Sequence, residues 1–115
     1  MRVMEVEQIK NLPATYKALA GVLREGKAEA ITSSDILRLT GLKDKRQVSE
    51  IIEQLVVRHG HVIGSNRTGD HKGYYYISDK TELLETLETY NNQIQSMLKR
   101  HIKLQENYIK RERGE

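Results

Sequence analysis

The sequence has no cysteine, so it holds no disulfide framework, no thiol nucleophile and no Cys-type zinc or iron-sulfur site. Phenylalanine and tryptophan are also missing, leaving six tyrosines as the whole aromatic complement. A core must therefore be built from Leu, Ile, Val, Ala and some of those tyrosines. At 37% hydrophobic content this supports a small core and not a deep catalytic cleft. No apolar run approaches the roughly 18 residues a membrane span needs, and the amino terminus lacks the basic-then-apolar pattern of a signal peptide. These absences predict a soluble cytoplasmic protein with no membrane association. No phosphate loop, dinucleotide-binding glycine motif or Ser-His-Asp constellation is present, which predicts a non-enzyme without a cofactor. His59, His61 and His71 have no cysteine and no ligand pair at helical spacing beside them, so no metal site is expected.

What is present fits one modest domain and an appendage within 115 residues. The net charge of +3 conceals a segregation along the chain. Residues 79–98 hold one basic and four acidic groups, whereas residues 99–115 hold six basic and three acidic. A mild positive charge alone does not identify a nucleic-acid partner; its clustering on one surface would.

The first helix signal is Pro13 at a first helical position, followed by Tyr16, Leu19, Ala20 and Leu23 as one buried stripe and Gly26 as the stop. Residues 1–12, with Val3, Val6 and Ile9, read as an arm, a strand or a short helix. A brief strand is expected at Ala30-Ile31. Thr32 and Asp35 then have N-cap spacing for a two-turn helix with Ile36, Leu37 and Leu39, ended by Gly41. Asp44 and Gln47 repeat that spacing for a second helix carrying Val48, Ile51, Ile52, Leu55 and Val56 inward and closed by Gly60. Two short helices around a glycine turn form a helix-turn-helix unit, whose second helix projects Lys45, Arg46, Gln47, Glu50 and Gln54 outward. Residues 61–65 and 74–78 read as a hairpin around a loop carrying Arg67, His71 and Lys72. Tyr74 and Tyr76 share one face of their strand and Tyr75 and Ile77 the other, with one pair expected in the core.

From the N-cap Asp79, with Glu82 three residues on, a helix of about 35 residues, roughly 50 Å long, is expected. Leu83, Leu87, Tyr90, Ile94, Met97, His101, Leu104 and Tyr108 alternate spacings of four and three along it, which is a heptad seam. A domain of about 65 residues cannot cover that seam along its whole length. Self-association is therefore expected, with Leu87, Tyr90, Ile94, Met97, His101, Leu104 and Tyr108 as the dimerisation residues. The basic tail, Lys99 to Arg113, suits phosphates or acidic partners, and equally a solubilised helix end.

The run from Ile31 to Leu42, the helix through Val48 and Ile52, and Lys72-Gly73-Tyr74-Tyr75-Tyr76-Ile77 together resemble a winged helix-turn-helix domain. The likeness extends to the amino-terminal DNA-binding domain of biotin-operon repressors. Small winged-helix proteins of phages and prophages of Gram-positive bacteria are similar through the opening Leu12 to Lys17, the Gly-Tyr-Tyr end of the wing and the basic terminal helix. No ligase domain follows residue 78, so biotin chemistry is not implied. The resemblance implies a mainly α fold with a small β-hairpin (α+β): an arm over 1–12, a winged helix-turn-helix domain over 13–78 and a long helix over 79–113, expected to form a coiled coil.

Double-stranded DNA is accordingly the expected partner of a homodimer, with a phage or host protein as a further one. Lys45, Arg46 and Gln47 are the base-reading candidates, because Arg pairs bidentately with guanine and Gln with adenine. Glu50 lends selectivity by repelling misplaced phosphate. Arg67, His71 and Lys72 are wing contacts to the backbone or minor groove. Lys43 and Ser33, near helix starts, are phosphate candidates. Transcription regulation and replication-origin binding use the same surfaces, and a protein-interaction scaffold is the rival class.

Overall fold

The structure is a computed structural model in which residues 12–114 are described, so the expected arm, apart from Leu12, lies outside the described residues. Two compact units are present, one up to Leu83 and one from Leu84 onward. The fold is mainly helical with one small antiparallel hairpin and a long carboxy-terminal helix.

In the first unit, helices α1 (Ala14–Val22), α2 (Ser33–Thr40) and α3 (Lys45–Val57) pack on one another. Strands β1 (Ile63–Asn66) and β2 (Gly73–Tyr76) follow, paired from Ile63 with Tyr76 to Asn66 with Gly73. Leu19, Ala20 and Leu23 from the α1 stripe meet Ile36 of α2 and Val48, Ile51, Ile52 and Leu55 of α3 in one cluster, joined by Leu12, Ile63 and Tyr76. Tyr16 is half-buried against it. Four apolar residues at i, i+3, i+4 and i+7 of α3 are enough to fill its inward stripe. Val56, expected inward, falls at the stripe's edge and is 37% exposed, and Leu39 of α2 is likewise exposed.

The capping expectations hold at atomic level. Thr32 Oγ1 accepts from the Asp35 N–H at 3.2 Å, and Gly41 closes α2 in the left-handed conformation at φ 72°. Asp44 accepts from the Gln47 N–H at 2.8 Å, while the Gln47 side chain reaches back to the Lys43 N–H at 2.7 Å. Other boundaries shift by a few residues. Pro13 precedes the first helical residue; α1 stops at Val22 and α3 at Val57, ahead of Gly26 and Gly60, which instead take positive φ in the turns that follow. The strands start later than expected in β1 and end earlier in β2.

Strand β2 is bonded along both edges. Besides β1, it meets residues 24–31: Ile31 and Tyr74 exchange two backbone hydrogen bonds of 3.0 and 2.8 Å, and Tyr76 bonds to Arg24 and Gly26. The strand expected at Ala30-Ile31 is thus a single bridge, preceded by a turn of 3₁₀ helix at Lys27–Glu29. Gly73 makes that approach possible. It sits at φ 127°, and an added Cβ would overlap the Ile31 carbonyl. Tyr75, Tyr76 and Ile77 are all buried and Tyr74 is half-buried, so both faces of this strand are covered and the expectation of one core pair is corrected. His61, also buried, is hydrogen-bonded through Nδ1 to the Tyr76 hydroxyl at 2.9 Å.

Helix α4 (Lys80–Glu112) runs for 33 residues. Asp79 accepts from the Glu82 N–H, and Glu82 in turn accepts from the Ser78 N–H and hydroxyl and from the Lys27 N–H, the last at 2.8 Å. Burial pushes the Glu82 carboxyl up, but those three hydrogen bonds and the Lys27 charge outweigh it and hold its pKa below the ordinary value. From Leu84 onward Thr86 is the one buried residue of α4. Seam residues Leu87, Ile94, Met97, Leu104 and Tyr108 are all exposed, Leu104 by 70%. No helix among the described residues is long and apolar enough to cross a membrane.

Candidate nucleic-acid interface

Helix α3 starts at a capped, exposed turn because Asp44 and Gln47 fix its first residues while Val48 and Ile51 anchor it from below. Successive residues on a helix are about 100° apart, so Lys45 and Gln47 leave this turn on opposite flanks with Arg46 between them. The structure puts those flanks into two different clefts. Lys45 faces a cleft of about 520 Å³ with Thr32, Ser33 and Ser34 at the start of α2, Ser65 and Asn66 of β1, Arg67 and Lys72 of the loop, and Gly73 and Tyr74 of β2. Gln47 and Glu50 face another, of about 550 Å³, with Thr15 and Tyr16 of α1, Ile51, Glu53 and Gln54 of α3, and Arg58 at its carboxy-terminal cap.

The two clefts differ in charge. The first is lined by three cations, four hydroxyl-bearing residues of the Ser and Thr type, one amide and one phenol, with no carboxylate. The second holds two carboxylates and one guanidinium. An anion entering the first cleft meets Lys45, Arg67 and Lys72 together with the amino-terminal end of α2, whose N–H groups favour negative charge. The second cleft offers no such surplus.

The hairpin loop owes its form to Asn66. Its side-chain N–H groups donate to the Thr68 and His71 carbonyls at 2.8 and 2.7 Å, which ties the loop across its width. Gly69 at φ 75° supplies the reversal. Arg67 and Lys72 flank this tie and enter the cleft lining, whereas exposed His71 contributes its carbonyl to the tie and lies outside it.

Of the expected residues, Ser33, Lys45, Arg67 and Lys72 are brought together in one cleft. The others stand apart from it. Gln47 is half-buried and its carbonyl oxygen is occupied by the Lys43 N–H; Arg46 Nε donates to Glu50 at 3.2 Å on the exposed crest of α3. An exposed pair of that kind contributes little energy, so the Arg46 guanidinium keeps donors to offer. Lys43 is exposed at the turn, outside either lining. Thr32, read as a helix cap, and Tyr74, read as a core candidate, also line the first cleft, and Asn66, Ser34 and Ser65 are lining residues that sequence reasoning did not single out. Only Asn66 had a readable signal, as an Asn at a strand end before a glycine-bearing turn.

Two histidines have local partners: His61 bonds Tyr76, and the His59 ring meets Tyr16 edge-on at 5.8 Å. Among the described residues no group of three His, Asp or Glu is placed to hold a metal ion. Comparison of the chain with protein-family models, with curated proteins and with solved structures finds no match.

Proposed function

We propose that this protein binds double-stranded DNA through a winged helix-turn-helix surface and does so as a homodimer held by α4. The observation that carries the reading is the carboxylate-free cleft in which the start of α2, Lys45 and the two loop cations Arg67 and Lys72 converge. Such a group of donors suits a phosphate strand running between a helix in the major groove and a hairpin beside it. Lys45, Arg67, Lys72 and Ser33 then fix position on the backbone, and exposed Arg46 is the side chain left to read a base edge. Lys43 and His71 lie at the margin of this surface. The protein catalyses no reaction in this reading and acts by occupying DNA in the cytoplasm of a bacterial host, in transcription regulation or origin binding.

Fluorescence anisotropy with a mixed-sequence duplex between about 50 and 200 mM salt tests it. Binding that falls with salt at a logarithmic slope of roughly −0.9 per neutralised phosphate is the expected outcome. Absence of binding at the low-salt end would sink the DNA reading. The interaction-scaffold reading, favoured by the exposed apolar face of α4, would then take its place.

A further inference from the structure

Helix α4 carries its apolar seam uncovered over more than 20 residues, from Leu87 at 49% exposure to Tyr108 at 56%. Its charge changes sign along that length. Glu85 and Glu88 lie in the first half and Lys99, Arg100 and Lys103 in the second. Helix-dipole stabilisation explains charges in the terminal turns only, because it fades within the first and last turn, so Glu88, Lys99, Arg100 and Lys103 lie beyond its reach.

We infer that α4 pairs with α4 of a second copy of this chain in antiparallel orientation, with the acidic half of each helix alongside the basic half of the other. This rests on the self-association in the proposed function and adds the direction and register. In a parallel pair Lys99, Arg100 and Lys103 stand level with their own copies, which concentrates six cations around two turns. The antiparallel pair sets each such cluster level with the partner's residues 88–92, where Glu88 lies. Glu85 falls level with the partner's Glu106, so the match is one of segment charge, −2 over residues 85–92 against +2 over residues 99–106. Glu88 and Lys103 are outside the positions that flank a heptad seam, so the match is one of segments within about a Debye length, not of close ion pairs.

Within the seam, the layer at His101 favours the same direction. One antiparallel register, in which position numbers across the pair sum to 191, places every seam residue opposite another: Leu87 with Leu104, Ile94 with Met97, and Tyr90 with His101. The last layer brings a phenol hydroxyl to an imidazole, two polar groups able to hydrogen-bond across the seam. A parallel register would instead stack His101 on His101. In the antiparallel pair the two Leu83 residues, where the domains end, are about 37 Å apart along the helix axis.

Because the chain has no native cysteine, single Cys variants report the orientation cleanly. Leu87→Cys and Leu104→Cys proteins, both full-length and both changed at exposed positions, are mixed, allowed to exchange subunits and oxidised mildly. The expected result is a disulfide-linked dimer in the mixture and none in either variant alone, since Leu87 and its own copy lie about 25 Å apart in this register. Self-cross-linking of Leu87→Cys alone, or no cross-link in the mixture, with the parent chain a dimer by light scattering, overturns the antiparallel inference and leaves self-association standing. A monomeric parent chain overturns both.

Discussion

Leu55 and Leu104 are the same side chain on two helices of one chain, yet Leu55 is 0% exposed and Leu104 70%. Around Leu55 the apolar stripes of three short helices close on one another, and each helix is too short to be stable alone. Around Leu104 a much longer helix repeats an equally regular stripe whose apolar residues are exposed among the described residues. The contrast separates two kinds of cohesion. The domain up to Leu83 is held within the chain, so its unfolding should not depend on concentration, whereas the apolar face beyond Leu84 is exposed, and the self-association proposed for it should follow mass action.

Substitutions can break this contrast at either end. Leu55→Ala, which opens a cavity under three helices, is expected to lower domain stability by about 3–4 kcal/mol in urea unfolding, equally at low and high protein concentration. Ile94→Asp should leave the domain transition in place while weakening self-association by on the order of 100-fold, seen as a monomer in light scattering; this follows from burying a carboxylate in an apolar layer. An unchanged mass would remove the claim that the seam is an interface. Gly73→Ala should cost the domain about 2 kcal/mol, because the methyl group would enter the Ile31 carbonyl and the backbone sits at φ 127°.

The smallest expected effect is at the junction. Glu82→Gln loses the charged acceptor shared by Ser78 and Lys27 and should cost about 1 kcal/mol near neutral pH. Its sign with pH is fixed. The folded pKa of Glu82 lies below the ordinary 4.5, so the carboxylate contributes fully above that value and the contribution fades as pH falls through the lower folded one. The difference between parent and Glu82→Gln should therefore narrow on acidification. A gap that widens would show that those hydrogen bonds do not favour the charged form.

The local features were legible in the sequence because they are decided within a few residues. Thr32 with Asp35, Asp44 with Gln47 and Asp79 with Glu82 announced three helix starts, and all three caps form. What the sequence did not show depends on how distant segments meet. The outer residues of α3 read as one face, but α1 on one side and the hairpin on the other divide it, which sends Gln47 and Glu50 away from Lys45. Tyr75 and Tyr74 looked like alternatives for the core because strand alternation says nothing about what covers each face. Asn66 belongs to a polar stretch that composition marks only as a loop, whereas its side chain holds the loop that carries Arg67 and Lys72.

A comparison of charge reversals on the two unlike flanks of α3 shows which of them DNA occupies. Anisotropy with a DNA duplex should be measured for the parent, for Lys45→Glu with Lys72→Glu, and for Arg58→Glu, whose residue lines the other cleft. The expected result is that the double variant loses affinity by on the order of 100-fold and its salt slope flattens by about two phosphates' worth, while Arg58→Glu stays close to the parent. Parent-like binding by the double variant, or an equal loss in Arg58→Glu, would contradict the assignment of DNA to the cleft between α2, α3 and the hairpin.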